Sequence, residues 1–187
     1  EIGSGLVGSE MCIRDRLGPL VNPSQPKCQL LGVANLDQMR LYNQVYQKLG
    51  IDFGIVNSID GYDEISLTSD FKVTTNNYEK IFKPQDLGFE IAKPEEVRGG
   101  ATEEEAKDIF DAVLENRALP AQKNIVLANA AFGIQVMEKG QKSIEECVEI
   151  ARESIDSGKA LATFKKFVEI NLSLIHISEP TRPEPIS

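Results

Sequence analysis

The densest group of residues able to do chemistry is GYDEIS, residues 61–66. Asp63 and Glu64 are adjacent carboxylates, and in an extended strand they would point to opposite faces. In a turn both can converge on a hard cation such as Mg2+, with waters and phosphate oxygens as the other ligands. Asp60 adds negative charge three residues upstream. The competing reading is a solvated acidic turn leading into an edge strand, and spacing alone favours it, because acidic pairs are common.

A second candidate is LGPLVNP, residues 17–23. Gly18-Pro19 can bring backbone close to a flat ligand, and Asn22-Pro23 can fix a turn through a side-chain hydrogen bond. The alternative is a rigid connector. Gly99-Gly100 stands just before a helix start at Thr102, where backbone N–H groups could hold a phosphate. Glu103, Glu104 and Glu105 fill that position with negative charge, so it reads as a flexible loop and a cap. Cys12, Cys28 and Cys147 are too few and too scattered for a disulfide framework or a zinc site, and Cys147 falls on an apolar helix face. The Tyr42/Tyr46 pair fits helix packing better than a stacking platform.

The elements that must position these residues are legible as pattern. Gly18, Pro19, Pro23 and Pro26 forbid a helix at the start. QLLGVA is a short apolar run of strand length, and a helix follows over 36–49, with Asn35 as N-cap and Gly50 as its stop. Tyr42, Val45, Tyr46 and Leu49 share one face at helical spacing. DFGIVNS, residues 52–58, is a second strand, completing a unit of the size of a right-handed βαβ crossover. ISLT reads as a further strand after the acidic turn, FKVTT and YEKIF as a hairpin around Asn76-Asn77, and PQDLGFEIA as a turn with a last short strand. The remainder is helical. Thr102 with Glu105 makes a capping box ahead of the stripe Ala106, Ile109, Phe110, Val113. A helix from Pro120 to about Lys139 is apolar nearly all round and therefore central. Ser143 with Glu146 caps a third helix that ends at Gly158, and a final one carries Leu161, Phe164 and Val168. Strands first, then several helices, is an α/β pattern with a mixed sheet.

Bulk composition narrows the function classes. The 187 residues are 41% apolar and 26% charged, with a formal net charge of −9. That balance disfavours nucleic acid and anionic membranes as partners. No apolar run is long enough to span a bilayer. A reduced cytoplasmic compartment is the default location.

The two ends are a separate matter. Leu6 to Asp15 can be encoded CTC GTG GGC TCG GAG ATG TGT ATA AGA GAC. Its reverse complement, read one base out of step, encodes SLIHISEPT, which is Ser173 to Thr181. Protein tails have no physical reason to be reverse complements, whereas a DNA adapter joined to both ends of a gene fragment has one, and the string resembles the adapter of transposon-based sequencing libraries. Residues 1–16 and 172–187 are accordingly expected to be non-native, and residues 17–171 to be the native part. His176, the only histidine, falls in the discarded tail, so no histidine chemistry is expected. The native part opens in mid-turn, as a cut gene would.

Taken in order, LGPLVNPSQPKCQLLGVANLDQMRLYNQVYQKLG, GIVNSIDGYDEIS, PQDLGFEIA, the Gly99-Gly100 loop, LANAAFGI and SIEECVEIARESIDSGKA resemble the anthranilate phosphoribosyltransferase family. The resemblance covers essentially all of residues 17–171. It implies a partial C-terminal α/β catalytic domain of the nucleoside phosphorylase/phosphoribosyltransferase type (glycosyltransferase family 3-like), with a mixed, mostly parallel sheet flanked by helices. It also implies an enzyme in which the anthranilate amine attacks C1 of 5-phosphoribosyl 1-diphosphate. The products are pyrophosphate and N-(5-phosphoribosyl)anthranilate, an intermediate of tryptophan biosynthesis. Mg2+ is the implied cofactor, held by Asp63 and Glu64 against the pyrophosphate. Gly18 and Pro19 are implied to line the hinge where anthranilate passes, and no catalytic residue is assigned. Asn57 stands where the family often has histidine. The family's glycine-rich diphosphate loop, its lysine-bearing flexible loop, its anthranilate-binding arginine and most of the helical domain through which it dimerises lie upstream of Leu17. The chain alone is therefore expected to be inactive. The alternatives are a nucleic-acid-binding relative of the same fold and a pyrimidine-nucleoside phosphorylase.

Overall fold

The computed structural model describes residues 18–177, and side chains as far as residue 172. The N-terminal segment read as non-native, 1–16, and the C-terminal one beyond residue 177 lie outside the described residues, as does the His176 side chain. A 3-10 turn at Gly18–Leu20 leads into strand β1 (Cys28–Gly32), helix α1 (Leu36–Leu49) and strand β2 (Asp52–Ser58). The Asn35 side chain accepts from the Gln38 N–H at 3.0 Å, which satisfies one of the helix's unbonded first donors, and Gly50 forms the C-cap. β1 and β2 pair in parallel, from Cys28 beside Asp52 to Gly32 beside Val56. This is the expected βαβ unit.

The hairpin also forms. β3 (Phe71–Thr75) and β4 (Glu79–Phe82) pair antiparallel, with Phe71 opposite Phe82. The weak Asn-Asn turn is reinforced by Thr75, whose hydroxyl accepts from the N–H groups of Asn77 and Tyr78 at 3.1 and 3.2 Å. Asn76 ties the turn to the start of β2. Its side chain accepts from the Phe53 N–H at 2.8 Å and donates to the Ile51 carbonyl at 2.9 Å.

The sheet runs β1-β2-β3-β4 and is mixed. The expected predominance of parallel strands is not found among the described strands, where β1–β2 alone is parallel and β2–β3 and β3–β4 are antiparallel. The cause lies in the connections: a parallel neighbour is usually reached through a helical crossover, and neither the 59–70 loop nor the hairpin turn contains a helix. Two expected strands, in ISLT and GFEIA, are absent. Leu67 adopts φ +57°, which ends any extended run there. The hydroxyls of Ser58 and Ser66 accept the N–H groups of Ser66 and Thr68 in place of a strand partner. One backbone bond, Ala92 N–H to the Leu67 carbonyl at 2.9 Å, joins the two segments.

Helices cover both faces of β2, which is buried from Phe53 to Ser58. On one face α1 presents Met39, Tyr42 and Tyr46 to Phe53 and Ile55. Met39 is buried and Leu49 exposed, so the apolar stripe lies one turn closer to the N-terminus than the spacing suggests. On the other face Val56, Phe71, Val73 and Phe82 meet helix α3 (Pro120–Met137), which packs on β1, β2 and the next helix. That helix, α4 (Ile144–Asp156), carries a complete Ser143–Glu146 capping box and buries Cys147 and Val148. Burial pushes the Cys147 thiol up, in keeping with an inert core position. Helix α2 (Glu103–Leu114) has only half its box: Thr102 accepts from the Glu105 N–H, but Glu105 accepts from Ala101 instead. Its stripe is largely unburied too, with Val113 and Ala112 in the core and Phe110 packed edge-on against Phe164 of helix α5 (Lys159–Ile177) at 4.9 Å. Among the described residues no helix is long and apolar enough to cross a membrane.

Tyr46 is 1% exposed, stacks on Phe53 at 5.5 Å, and its hydroxyl has no hydrogen-bond partner among the described residues. An unbonded buried hydroxyl costs free energy that a phenyl ring would not. Tyr46→Phe is expected to hold or raise the melting temperature by about 2–4 °C, on the order of 1 kcal/mol for a domain of this size. A scanning-calorimetry fall of several degrees would show that the hydroxyl is bonded after all.

Candidate functional site

The loop at 59–70 folds over the carboxyl ends of β1 and β2, the edge where open α/β sheets bind ligands. Its course is set by Gly61, at φ +100°, whose N–H donates to the Ser58 carbonyl at 3.0 Å. Ser58 N–H in turn donates to the Tyr62 carbonyl at 3.0 Å. Asp63 and Glu64 therefore sit in a turn and not in a strand, the arrangement that lets both carboxylates serve one cation. Both are exposed, and neither carboxylate is in an ion pair with any described residue.

The backbone of this turn is fixed from three directions. Ser58 Oγ donates to the Glu64 carbonyl at 2.6 Å. Asn129, on α3, accepts from the Ile65 N–H at 3.1 Å and donates to the Ile65 carbonyl at 2.9 Å. Gly32, the last residue of β1, lies so close that a methyl group on it would stand 1.7 Å from the Asp63 carbonyl oxygen. Behind Gly32, the buried Asn57 donates to the Val33 carbonyl at 2.7 Å, holding β1 to β2 where the strands end. Asn57 thus supports the site from within and does not line it.

Asp60 is not part of the open pair. Its carboxylate accepts from Thr68 Oγ1 and, at 3.5 Å, from Ser66 Oγ, so it closes the loop on itself. Among the described residues no three Asp, Glu, His or Cys side chains gather as a metal cluster. Two oxygen-donor carboxylates with open space around them suit Mg2+, which takes one or two carboxylates and fills its octahedron with waters and phosphate oxygens.

Gly18 and Pro19 are not brought to this site. The Pro19 carbonyl accepts from Gln29 Nε2 at 3.1 Å, beside the start of β1, whereas Asp63 lies against Gly32 at its end. Gln29 and Gly32 are three positions apart along β1, roughly 10 Å. Pro19 lines a different cleft, with Leu20, Gln29, Tyr46 and Ile51. Sequence reasoning missed Gly32, Ser58 and Asn129. Asn129 had a visible signal, a lone amide inside the apolar helix LANAAFGI. Gly32 had a weaker one, a glycine closing an apolar strand.

Gly32→Ala is expected to displace the Asp63 turn without unfolding the domain, since only the loop need move. Far-UV circular dichroism should be retained while Mn2+ uptake, read by electron paramagnetic resonance, falls at least severalfold. Unaltered Mn2+ uptake would mean that the turn does not depend on this contact.

With this geometry in view, the family described as "Glycosyl transferase family, a/b domain" matches residues 10–161. Anthranilate phosphoribosyltransferase from Phocaeicola vulgatus is 65% identical over 155 residues, covering 83% of this chain and 46% of that protein. The Bacteroides thetaiotaomicron enzyme of the same name is 54% identical over the same coverage. Among solved structures, anthranilate phosphoribosyltransferase from Thermus thermophilus superposes with a TM-score of 0.77 at 26% identity, over 89% of this chain and 50% of that one. The Saccharomyces cerevisiae enzyme in complex with PRPP and Mg shares the fold, with a TM-score of 0.73 at 24% identity over 82% of this chain and 44% of that one. The chain spans about half the length of the relatives it matches. It belongs to the glycosyl transferase family and falls in that family's a/b domain.

Proposed function

We propose that this chain is part of a cytoplasmic anthranilate phosphoribosyltransferase, which joins the phosphoribosyl group of 5-phosphoribosyl 1-diphosphate to the amine of anthranilate and releases pyrophosphate. The observation that carries the reading is the Asp63–Glu64 turn, two open carboxylates held at the carboxyl ends of a parallel strand pair. The 65% identity to the Phocaeicola vulgatus enzyme supports the choice of acceptor.

Asp63 and Glu64 are the residues that would hold Mg2+. Bound there, the ion would offset the negative charge that gathers on the departing diphosphate. The protein's own contribution is preorganisation. Gly32, Ser58 and Asn129 keep the turn's backbone in place, so the two carboxylates meet their ligand without reordering the loop. Gly18 and Pro19 are proposed to border the path of anthranilate, at the other end of β1 from the acid pair. The upstream half of such an enzyme would bring the remaining substrate contacts and the dimer interface.

Two measurements test this. The 187-residue chain alone should give no phosphoribosylanthranilate fluorescence, whereas residues 17–171 joined to the upstream half of the Phocaeicola vulgatus enzyme should turn over. In that chimaera Asp63→Asn should lower turnover on the order of a hundredfold and raise the Mg2+ requirement, as expected for a loss of about 3 kcal/mol of charge stabilisation. A chimaera that folds but stays inactive, or unchanged Mg2+ dependence in Asp63→Asn, would contradict the assignment.

A further inference from the structure

The acid pair is bordered by a cleft whose charges of opposite sign do not meet. Glu64 and Ser66 from the loop after β2, and Pro94, Arg98 and Gly99 from the segment before α2, line one space of about 350 Å³. The chain is acidic, and its other described arginines have each found a carboxylate: Arg40 with Asp37 at 3.4 Å, Arg117 with Glu115 at 2.6 Å and Arg152 with Glu149 at 3.4 Å. Arg98 is the one arginine among the described residues without an ion-pair partner, although Glu64 lines the same cleft. A guanidinium and a carboxylate that share a space without pairing leave room for a ligand that presents an anion to one and a cation to the other.

The segment carrying Arg98 is anchored on both sides. Upstream, Ala92 N–H donates to the Leu67 carbonyl at 2.9 Å and Lys93 N–H to Glu96 Oε2 at 3.0 Å. Downstream, Gly100 packs so tightly on the start of α2 that a methyl group there would stand 2.4 Å from the Ala106 nitrogen. Ala101 N–H donates to Glu105 Oε2 at 2.7 Å. Of the Gly99-Gly100 pair, expected to be a flexible loop, Gly100 is held in close contact with the start of α2, two residues after Arg98, whereas Gly99 has open space around it. Guanidinium is the side chain suited to phosphate oxygens, because its planar fork donates two parallel hydrogen bonds.

We propose that Arg98 binds the phosphate oxygens of a metal–diphosphate whose cation rests on Asp63 and Glu64. This inference depends on the metal-site reading above and adds a residue from a different segment. Arg98 would then counter the charge accumulating on the diphosphate from the side opposite the acid pair.

The test uses the 187-residue chain, with Mn2+ as the metal probe and inorganic diphosphate as the anion. Mn2+ uptake without diphosphate is read by electron paramagnetic resonance, and diphosphate binding to the Mn2+-loaded chain by calorimetry. Arg98→Gln should leave Mn2+ uptake as it is and weaken diphosphate binding roughly tenfold, the loss of one charge-assisted contact. Arg98→Lys should recover part of it, keeping the charge but not the fork. Equal diphosphate affinity in the unaltered chain and Arg98→Gln overturns the inference and leaves the metal site standing. So does an unaltered chain that takes up Mn2+ but no diphosphate. Normal Mn2+ uptake by Asp63→Asn overturns the metal site and the inference together.

Discussion

The approach of the Asp63 carbonyl to the backbone of Gly32 is the contact on which the site depends. It requires a residue without a side chain at the end of β1 and a loop that turns back across two strand ends. Each requirement constrains a different part of the chain. The loop reaches that position only because Ser58 and Asn129 satisfy its buried backbone groups, which would otherwise cost about 1–3 kcal/mol apiece when stripped of water. Asn129 can do so only because α3 lies flat against the sheet, and α3 lies there because Leu127, Ala128, Ala131 and Phe132 fill the space over Val56 and Phe71.

β2 is the element through which these demands pass. It is covered by helices on both faces, so its run from Phe53 to Ser58 admits little polar surface. The two polar residues at its end are the exceptions, and both are bonded: Asn57 to the Val33 carbonyl, and Ser58 to the Glu64 carbonyl and the Ser66 N–H. They project to opposite faces, as neighbours in a strand must. Asn57 thus secures the strand pair while Ser58 secures the loop. The acidic loop is an extension of the core's hydrogen bonding, which explains how exposed carboxylates can stand on a fixed backbone.

Most of the fold was legible because local rules governed it. Asn35, Ser143 and Pro120 marked helix starts that the structure keeps, and the β1–α1–β2 unit followed from apolar runs separated by one amphipathic segment. Two expected strands failed where side chains took over backbone bonding. Ser58 and Ser66 serve loop N–H groups, and Leu67 turns into a left-handed conformation that no residue pattern announces. The α2 stripe misled for another reason: periodicity identifies a face without saying whether anything covers it, and Phe110 finds a single ring in α5. At the site, Asp63 and Glu64 were readable as residue types. Asn129 was not readable as their support, because 64 positions separate it from the Ile65 backbone it holds. Gly18 and Pro19 were readable as a turn, but their distance from the acid pair is a property of strand length and direction.

The central claim is that a divalent cation binds at the carboxyl ends of β1 and β2 and not at the chain's other acidic clusters. Paramagnetic broadening of backbone amide resonances by sub-stoichiometric Mn2+ tests it directly on the isotopically labelled chain. The amides of Gly32, Tyr62, Asp63, Glu64 and Ile65 should broaden first, while those of Gly50 and Asn76, at the opposite end of the same strands, stay sharp. Broadening centred on Glu103, Glu104 and Glu105 at the start of α2 would contradict it.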